Sequence, residues 1–327
     1  MRSDIRCDII IPVWDELGLT KKCIDSIRQN TSLSYKIVII DNGSSVETAQ
    51  CLKGLSEKGW ITLIRNEKNL GFPTAVNQGI ASLDAPYACI LNNDTEVYRG
   101  WLREMIQIAE GDSAIGIVNP ASNNLGQKGP EPGFSGKWIE MAVCTGFCML
   151  IKRSLIKKIG KFDEIYSPGN FEDADFSKRA IKAGYKCVMA RGAYVYHEEN
   201  TSFKKRKDWD RGFERNREIF NKRWGAPERV VYVIGEDREN NLDAIKAGIR
   251  EFLKKGDWVW VIFRKPSRKI DMPEHASLSI FEIGKFSFAI KVLWRVIKRK
   301  KRFDEVMTDS RFLVSLFKVL GYRTQKI

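Results

Sequence analysis

Histidine is nearly missing from this sequence, with two in 327 residues, so a histidine at the end of a strand stands out. No run of about 18 apolar residues occurs, and no transmembrane helix is expected. The opening stretch, MRSDIRCDIIIPV, lacks the long apolar segment of a signal peptide and runs directly into a strand. The seven cysteines include no Cys-x-x-Cys pair, and an odd, dispersed set suits reduced thiols in a cytosolic protein. Cys144 and Cys148 lie closest together and read as two small core residues rather than a metal site. Internal repeats and low-complexity tracts are also lacking.

Apolar residues make up 43% of the chain, enough for a sizeable core, and the length suggests two domains of ordinary size or one large one with an appendage. A net charge of +14 implies an anionic partner: nucleotide, phospholipid or nucleic acid. Residues 7 to 13 (CDIIIPV) form an apolar run, a buried strand, and residues 17 to 30 have apolar positions at helical spacing. YKIVIIDNGS is a second buried strand, followed by a helix through about Lys58. ITLIRNEKN is a third strand, GFPTAVNQGIASL starts a helix, and PYACILNND is a fourth strand. Near-continuous apolar strands alternating with helices predict an α/β fold, a mixed, mostly parallel sheet flanked by helices. Such sheets bind ligands at the carboxyl ends of their strands. Three strand ends carry polar clusters: Pro12 to Glu16, Asp41 to Ser44, and Asn92 to Asp94.

Residues 119 to 137, rich in Gly, Pro, Asn and Ser, read as a long loop. A strand and helix follow from AVCTGFCMLIKRSLIKKIG, FEDADFSKRAIKAGYK opens acidic and becomes a helix, KCVMARGAYVYHEE is strand-like, and a charged helix ends near Gly225. After Pro227 the strand–helix rhythm restarts in VVYVIG, WVWVIF, SLSIFEI and EVMTDS. The expected division is therefore 1–227 and a second, smaller α/β domain over 228–327. The latter holds 22 Lys+Arg against 13 Asp+Glu, or +9, and the remainder 33 against 28, or +5. No Gly-rich phosphate loop accompanies VMTDS.

The polar segments of the first domain resemble, in order, the motifs of the inverting family 2 glycosyltransferases of the A-type fold. IPVWDE is similar to the opening motif, IIDNGS to the second, and NLGFPTAVNQGI to the third. LNNDT stands at the Asp-x-Asp position, FEDADF at the Glu-Asp motif and YHEENTS at the late histidine. The match runs over residues 7 to about 225. It implies a metal-dependent transfer of a sugar from a nucleotide-diphosphate donor to a hydroxyl of a glycan or lipid-linked glycan. The setting would be polysaccharide, lipopolysaccharide or other surface-glycan synthesis, in the cytoplasm, either free or at the inner face of the membrane.

Each role has a physical reason. The diphosphate must leave with negative charge, which a divalent cation neutralises. Mg²⁺ needs few protein carboxylates, and Mn²⁺ tolerates imidazole better. By resemblance Asp94 is the metal acid and His197 adds a nitrogen ligand; the bland alternative for Asp94 is a strand-end turn residue. Asn92 stands in place of the first acid, where an amide reaches ribose or a metal-bound water, and Asn93 is the variable middle. An inverting transfer needs a base within hydrogen-bond reach of the acceptor hydroxyl. By resemblance Asp173 is that base, and Glu172 binds the acceptor or supports it. Crowded carboxylates raise each other's pKa, while Asp175 suits the helix N-terminus. Asp41 would accept hydrogen bonds from base or ribose, or serve only the turn. Pro12, Val13 and Asp15 would lie beside the nucleoside, Gly71 would allow close backbone approach, and Asn77 would reach the nucleotide. Trp14 stands where the family often has tyrosine.

Lys204 to Lys207 read as part of a lid over the diphosphate, as a holder of a phosphate-bearing acceptor, or equally as a solvated charge run. FSFAIKVLWRVIKRKKRF reads either as a helix lying on an anionic membrane or as an ordinary amphipathic helix with Lys298 to Arg302 as its solvated exit. A nucleotide-sugar-binding protein without turnover is the alternative to an enzyme, because Asn92 replaces an acid. Nucleic acid is not expected as a partner, since a phosphate-tracking groove should be basic and these strand ends carry acids.

Overall fold

A computed structural model describes residues 6–129, 133–198, 209–235, 242–264, 272–284 and 286–327. They form two compact units, Met1–Arg223 and Trp224–Ile327.

In the larger unit β1 (Cys7–Val13) is buried at every position but Pro12, as a parallel strand covered on both faces must be. α1 (Leu17–Asn30) buries Thr20, Cys23, Ile24 and Ile27, a single helical face. β2 (Tyr35–Asn42), α2 (Val46–Glu57), β3 (Thr62–Asn66), α3 (Phe72–Ala81) and β4 (Tyr87–Leu91) continue the alternation. Gly79 lets α3 lie directly on β1, because a Cβ there would collide with the Ile10 side chain. Residues of β1 alternate between two cores: Ile9 and Ile11 face one with Ile24 and Trp101, and Ile10 faces the other with Val76 and Phe176.

Next come β5 (Thr95–Val97), α4 (Trp101–Gly111), β6 (Ile115–Ala121), β7 (Trp138–Glu140), β8 (Cys148–Lys152), α5 (Arg153–Ile159), α6 (Glu172–Lys182), β9 (Lys186–His197) and α7 (Trp209–Trp224). The sheet order is β3-β2-β1-β4-β8-β6-β9-β5, with β7 also on β9. The first four strands are parallel. β8 runs against both β4 and β6, and β6 and β9 are again parallel. The expected long loop begins later than its composition suggests: Asn119, Pro120 and Ala121 are buried strand residues. The Asn119 side chain belongs there because it bonds main-chain groups, donating to the carbonyls of Thr145 and Cys148 and accepting from Thr145 N–H.

The smaller unit is a sheet of five parallel strands, β10 (Arg229–Ile234), β11 (Trp258–Arg264), β12 (Leu278–Ile283), β13 (Glu305–Thr308) and β14 (Arg323–Lys326), in the order β12-β11-β10-β13-β14. α8 (Leu242–Lys255) covers one core with Ile245, Ile249 and Leu253. α9 (Phe288–Ile297) and α10 (Arg311–Val319) share a second core through Val292, Val296, Leu313 and Phe317. Among the described residues no helix is long and apolar enough to cross a membrane.

Candidate active site

The strand ends β1, β2 and β4, the N-terminus of α6 and the end of β9 meet around a cavity of about 490 Å³. Its lining holds six asparagines, the acids Asp94, Glu172 and Asp173, and His197. No lysine or arginine among the described residues lines it. An anionic ligand there would find its compensating charge in something other than a described side chain.

His197 arrives by sheet register. β5 and β9 pair antiparallel with Thr95 opposite His197, and Glu198 N–H donates to the Asp94 carbonyl at 3.0 Å. His197 Nε2 thereby lies 3.1 Å from Asp94 Oδ1, with side chains only 12% and 10% exposed. That oxygen is buried and has no hydrogen-bond partner, so the short distance brings an unpaired acceptor against the imidazole nitrogen without a formed bond. The ring is fixed by stacking on Phe147, centroids 5.1 Å apart. Asn124 Nδ2 sits 2.6 Å from Nδ1, and Asn92 Nδ2 lies 3.4 Å from Nε2. Among the described residues no third His, Cys, Asp or Glu joins the pair. An orphaned carboxylate oxygen facing an imidazole nitrogen suits a divalent cation that takes its other ligands from substrate and water.

The acids of α6 stand on an unusual backbone. Asn170 and Phe171, immediately before the helix, both have positive φ, 78° and 73°, a conformation non-glycine residues adopt at a cost of order 1–3 kcal/mol. Asn216 of α7, fully buried, holds this segment by donating to the carbonyls of Tyr166 and Gly169 at 2.6 and 2.9 Å. Asp173 Oδ2 accepts from Gly146 N–H at 2.8 Å and Oδ1 from Ala174 N–H at 2.7 Å. Burial raises its pKa, and these N–H groups oppose the rise. Glu172 is pushed well above the usual carboxylate range, first by burial and then by the charge of Asp173. Its Oε2 has no hydrogen-bond partner. Asp175 faces away: it is buried against Arg179 and Arg223, each at 2.8 Å.

Of the residues expected from sequence, Pro12, Val13, Asn92, Asn93, Asp94, Glu172, Asp173 and His197 line the cavity. Asp15, Asp41, Gly71 and Asn77 do not, and each is engaged in the protein. Asp41 is fully buried, accepts from Ser44 N–H at 2.9 Å and pairs with Arg65. Asp15 Oδ1 accepts from Ser45 N–H at 2.8 Å, at the start of α2. Asn77 exchanges hydrogen bonds with Phe162 main chain at 2.9 and 3.0 Å and donates to Glu164 at 2.8 Å. Gly71, at φ +90°, makes its close approach to Ser167 and Pro168. Asn42, Asn69, Asn124, Phe147 and Phe213 line the site without having been anticipated. Of these, Asn42 and Asn69 carried a signal, as members of IIDNGS and NLGFPTAVNQGI. The Lys204 to Lys207 run lies outside the described residues.

Residues 8–160 match the model of the family "Glycosyl transferase family 2". That span ends before α6 and β9, so Glu172, Asp173 and His197 lie beyond it. Glycosyltransferase GlyA of Streptococcus pneumoniae is 26% identical over 125 residues, 38% of this chain and 18% of its own length. Glycosyltransferase AglE of Haloferax volcanii is 22% identical over 201 residues, 58% of this chain and 66% of its own. The chain thus spans less than two thirds of these relatives. A solved mannosyltransferase, PcManGT from Pyrobaculum calidifontis, in complex with GDP-Man and Mn²⁺, shares the fold with a TM-score of 0.51 at 17% identity, covering 60% of this chain and 58% of its own. The larger unit has the A-type glycosyltransferase fold, and its residues 8–160 are similar to the family 2 glycosyltransferases.

Proposed function

We propose that the larger unit moves a sugar from a nucleotide-diphosphate donor to an acceptor hydroxyl, with inversion at the anomeric carbon and with a divalent cation. The carrying observation is that two groups of side chains share one cavity: Asp94 with His197, and Glu172 with Asp173. Asp94 Oδ1 and His197 Nε2 would hold the cation, Mn²⁺ being the better match for an imidazole ligand. When bound, the ion neutralises the charge that develops on the departing diphosphate, which no lining lysine or arginine among the described residues does. The Mn²⁺ and GDP-Man in the PcManGT complex agree with this reading.

Asp173 takes the proton of the acceptor hydroxyl. The acceptor oxygen bonds to the anomeric carbon as the bond from that carbon to the diphosphate oxygen breaks. The nucleoside diphosphate leaves from the opposite face, which inverts the centre. Two main-chain N–H groups fix Asp173 for this role. Glu172, held neutral to higher pH, supports it and meets an acceptor hydroxyl through its unpartnered oxygen. Pro12, Val13, Asn92 and Asn93 contact the nucleotide, joined by Asn42 and Asn69. Asp15, Asp41, Gly71 and Asn77 act by shaping the loops that carry those contacts. The acceptor is a glycan or lipid-linked glycan of envelope synthesis, met on the cytoplasmic face of the membrane.

A thermal-shift screen of nucleoside diphosphates with and without Mn²⁺, paired with a donor-turnover assay, tests this. The expected result is a nucleotide shift that needs Mn²⁺, with turnover lost in Asp173→Asn while the shift persists. Full turnover in that variant would sink the base assignment. Binding without turnover in the unaltered chain would instead favour the non-catalytic reading that Asn92 suggests.

A further inference from the structure

α9 is apolar on more than the side that packs. Val292 and Val296 are fully buried against the sheet, yet Ile290 is 70% exposed and Trp294 61%, with Ile297 and Phe286 also exposed. Positions 290, 294 and 297 fall on one face of a helix. α10 repeats the pattern on the same side of the sheet: Leu313 and Phe317 are buried, while Phe312 is 65% and Val319 85% exposed. Single exposed apolar side chains are ordinary, but two such rows on helices that share a core make a docking surface.

Charge decides what docks. From Phe286 to Phe303 there are seven lysines and arginines and no acid, and from Ser310 to Leu320 there are two and none. Asp304 and Asp309, next in line, accept main-chain hydrogen bonds from Arg229 and Gly235. Lys298 lies 4.8 Å over the Trp294 ring, so an indole and an ammonium stand together at the edge of the apolar row. That pairing suits a boundary between acyl chains and headgroups. A second copy of this chain would bring the same cations face to face, which opposes self-docking.

We propose that the outer faces of α9 and α10 lie on an anionic lipid bilayer. Their apolar rows enter the headgroup–acyl boundary, and Lys298, Lys300 and Lys301 meet lipid phosphates. This names the surface behind the proposed membrane-face location and is independent of the transfer chemistry. The full chain should float with vesicles containing phosphatidylglycerol and not with phosphatidylcholine alone, and salt should weaken the association. Ile290→Glu with Trp294→Glu should abolish flotation, and Lys300→Ala and Lys301→Ala should each weaken it about fivefold. All four side chains are exposed, so the thermal transition and the nucleotide–Mn²⁺ shift should be unchanged. The latter reports separately on the transfer site. No flotation with anionic vesicles, or unchanged flotation of the Ile290→Glu, Trp294→Glu variant, overturns the proposal. So does a mass by light scattering that falls to monomer in that variant while vesicles remain unbound, which assigns the face to a second copy.

Discussion

Both units line up parallel strands so that carboxyl ends share an edge, and the chemistry at the two edges differs. In the larger unit the ends of β1, β2 and β4 open on a cavity of about 490 Å³ with three acids, a histidine and no described cation. In the smaller unit the strand order reverses between β10 and β13, where a doubly wound sheet takes its ligand. There Asp309 turns both carboxylate oxygens to one main-chain group, Gly235 N–H, at 3.0 and 2.9 Å. Most of the excess positive charge of this unit lies on α9, α10 and the segment between α9 and β13. The fold supplies an edge, and the side chains decide whether it binds, is tied shut or is left to structure.

The sharpest way to break the comparison is Asp173→Asn. Loss of a positioned general base typically costs about 10²–10⁴ in rate, and kcat should fall by that much with nucleotide binding retained. In the unaltered enzyme the rate should decline on acidification at a pH above the 3.8 of an ordinary aspartate, because burial raises the Asp173 pKa. Next is the pair Asp94→Ala and His197→Ala. With one carboxylate and one imidazole, the site should hold Mn²⁺ weakly alone and much more tightly once a diphosphate adds oxygen ligands. Calorimetric titration of Mn²⁺ with and without nucleoside diphosphate should show that coupling, and either variant should lose it. Equal Mn²⁺ affinity in both conditions would remove the metal from the account.

How much of this was legible in the sequence followed the type of information involved. β1, β2 and β4 announce themselves as apolar runs ending in polar clusters, and their end residues line the cavity. β6 was obscured because Asn119 and Pro120 read as loop chemistry, whereas Asn119 serves main-chain partners across the sheet. Asp41 and Asp15 look like ligand carboxylates by position. Which partner a carboxylate takes is a tertiary fact, and here Arg65, Ser44 and Ser45 take them. Phe147 and Asn124, which fix the His197 ring, carry no local signature, since their relation to it arises only from strand register and loop return.

Glu172 separates the units in a third way, as a buried acid whose cost should be measurable. Its folded pKa is raised above 4.5 by burial and by Asp173. Below that value both folded and unfolded states hold the proton and no penalty arises. As pH rises towards the folded pKa, the unfolded chain ionises while the folded site resists, and stability falls. Glutamine at this position cannot titrate. Glu172→Gln should therefore melt a few degrees above the unaltered protein at neutral pH, the gap closing as pH falls towards 4.5. A gap independent of pH would show that Glu172 is not carrying that proton.

The smallest effect is expected at the edge of the smaller unit. If Asp309 serves only to tie β13 to the end of β10, Asp309→Ala should remove about 1 kcal/mol, the net worth of a typical hydrogen bond. Chemical denaturation would register it as a lower midpoint, with the slope unchanged if the unfolded state is unaffected. Donor turnover and the nucleotide–Mn²⁺ shift should stay at the level of the unaltered chain, since the side chains assigned to both lie on the larger unit. Loss of the nucleotide shift in this variant would mean that the second edge also takes the ligand. The contrast between an open strand edge and a tied one would then have to be given up.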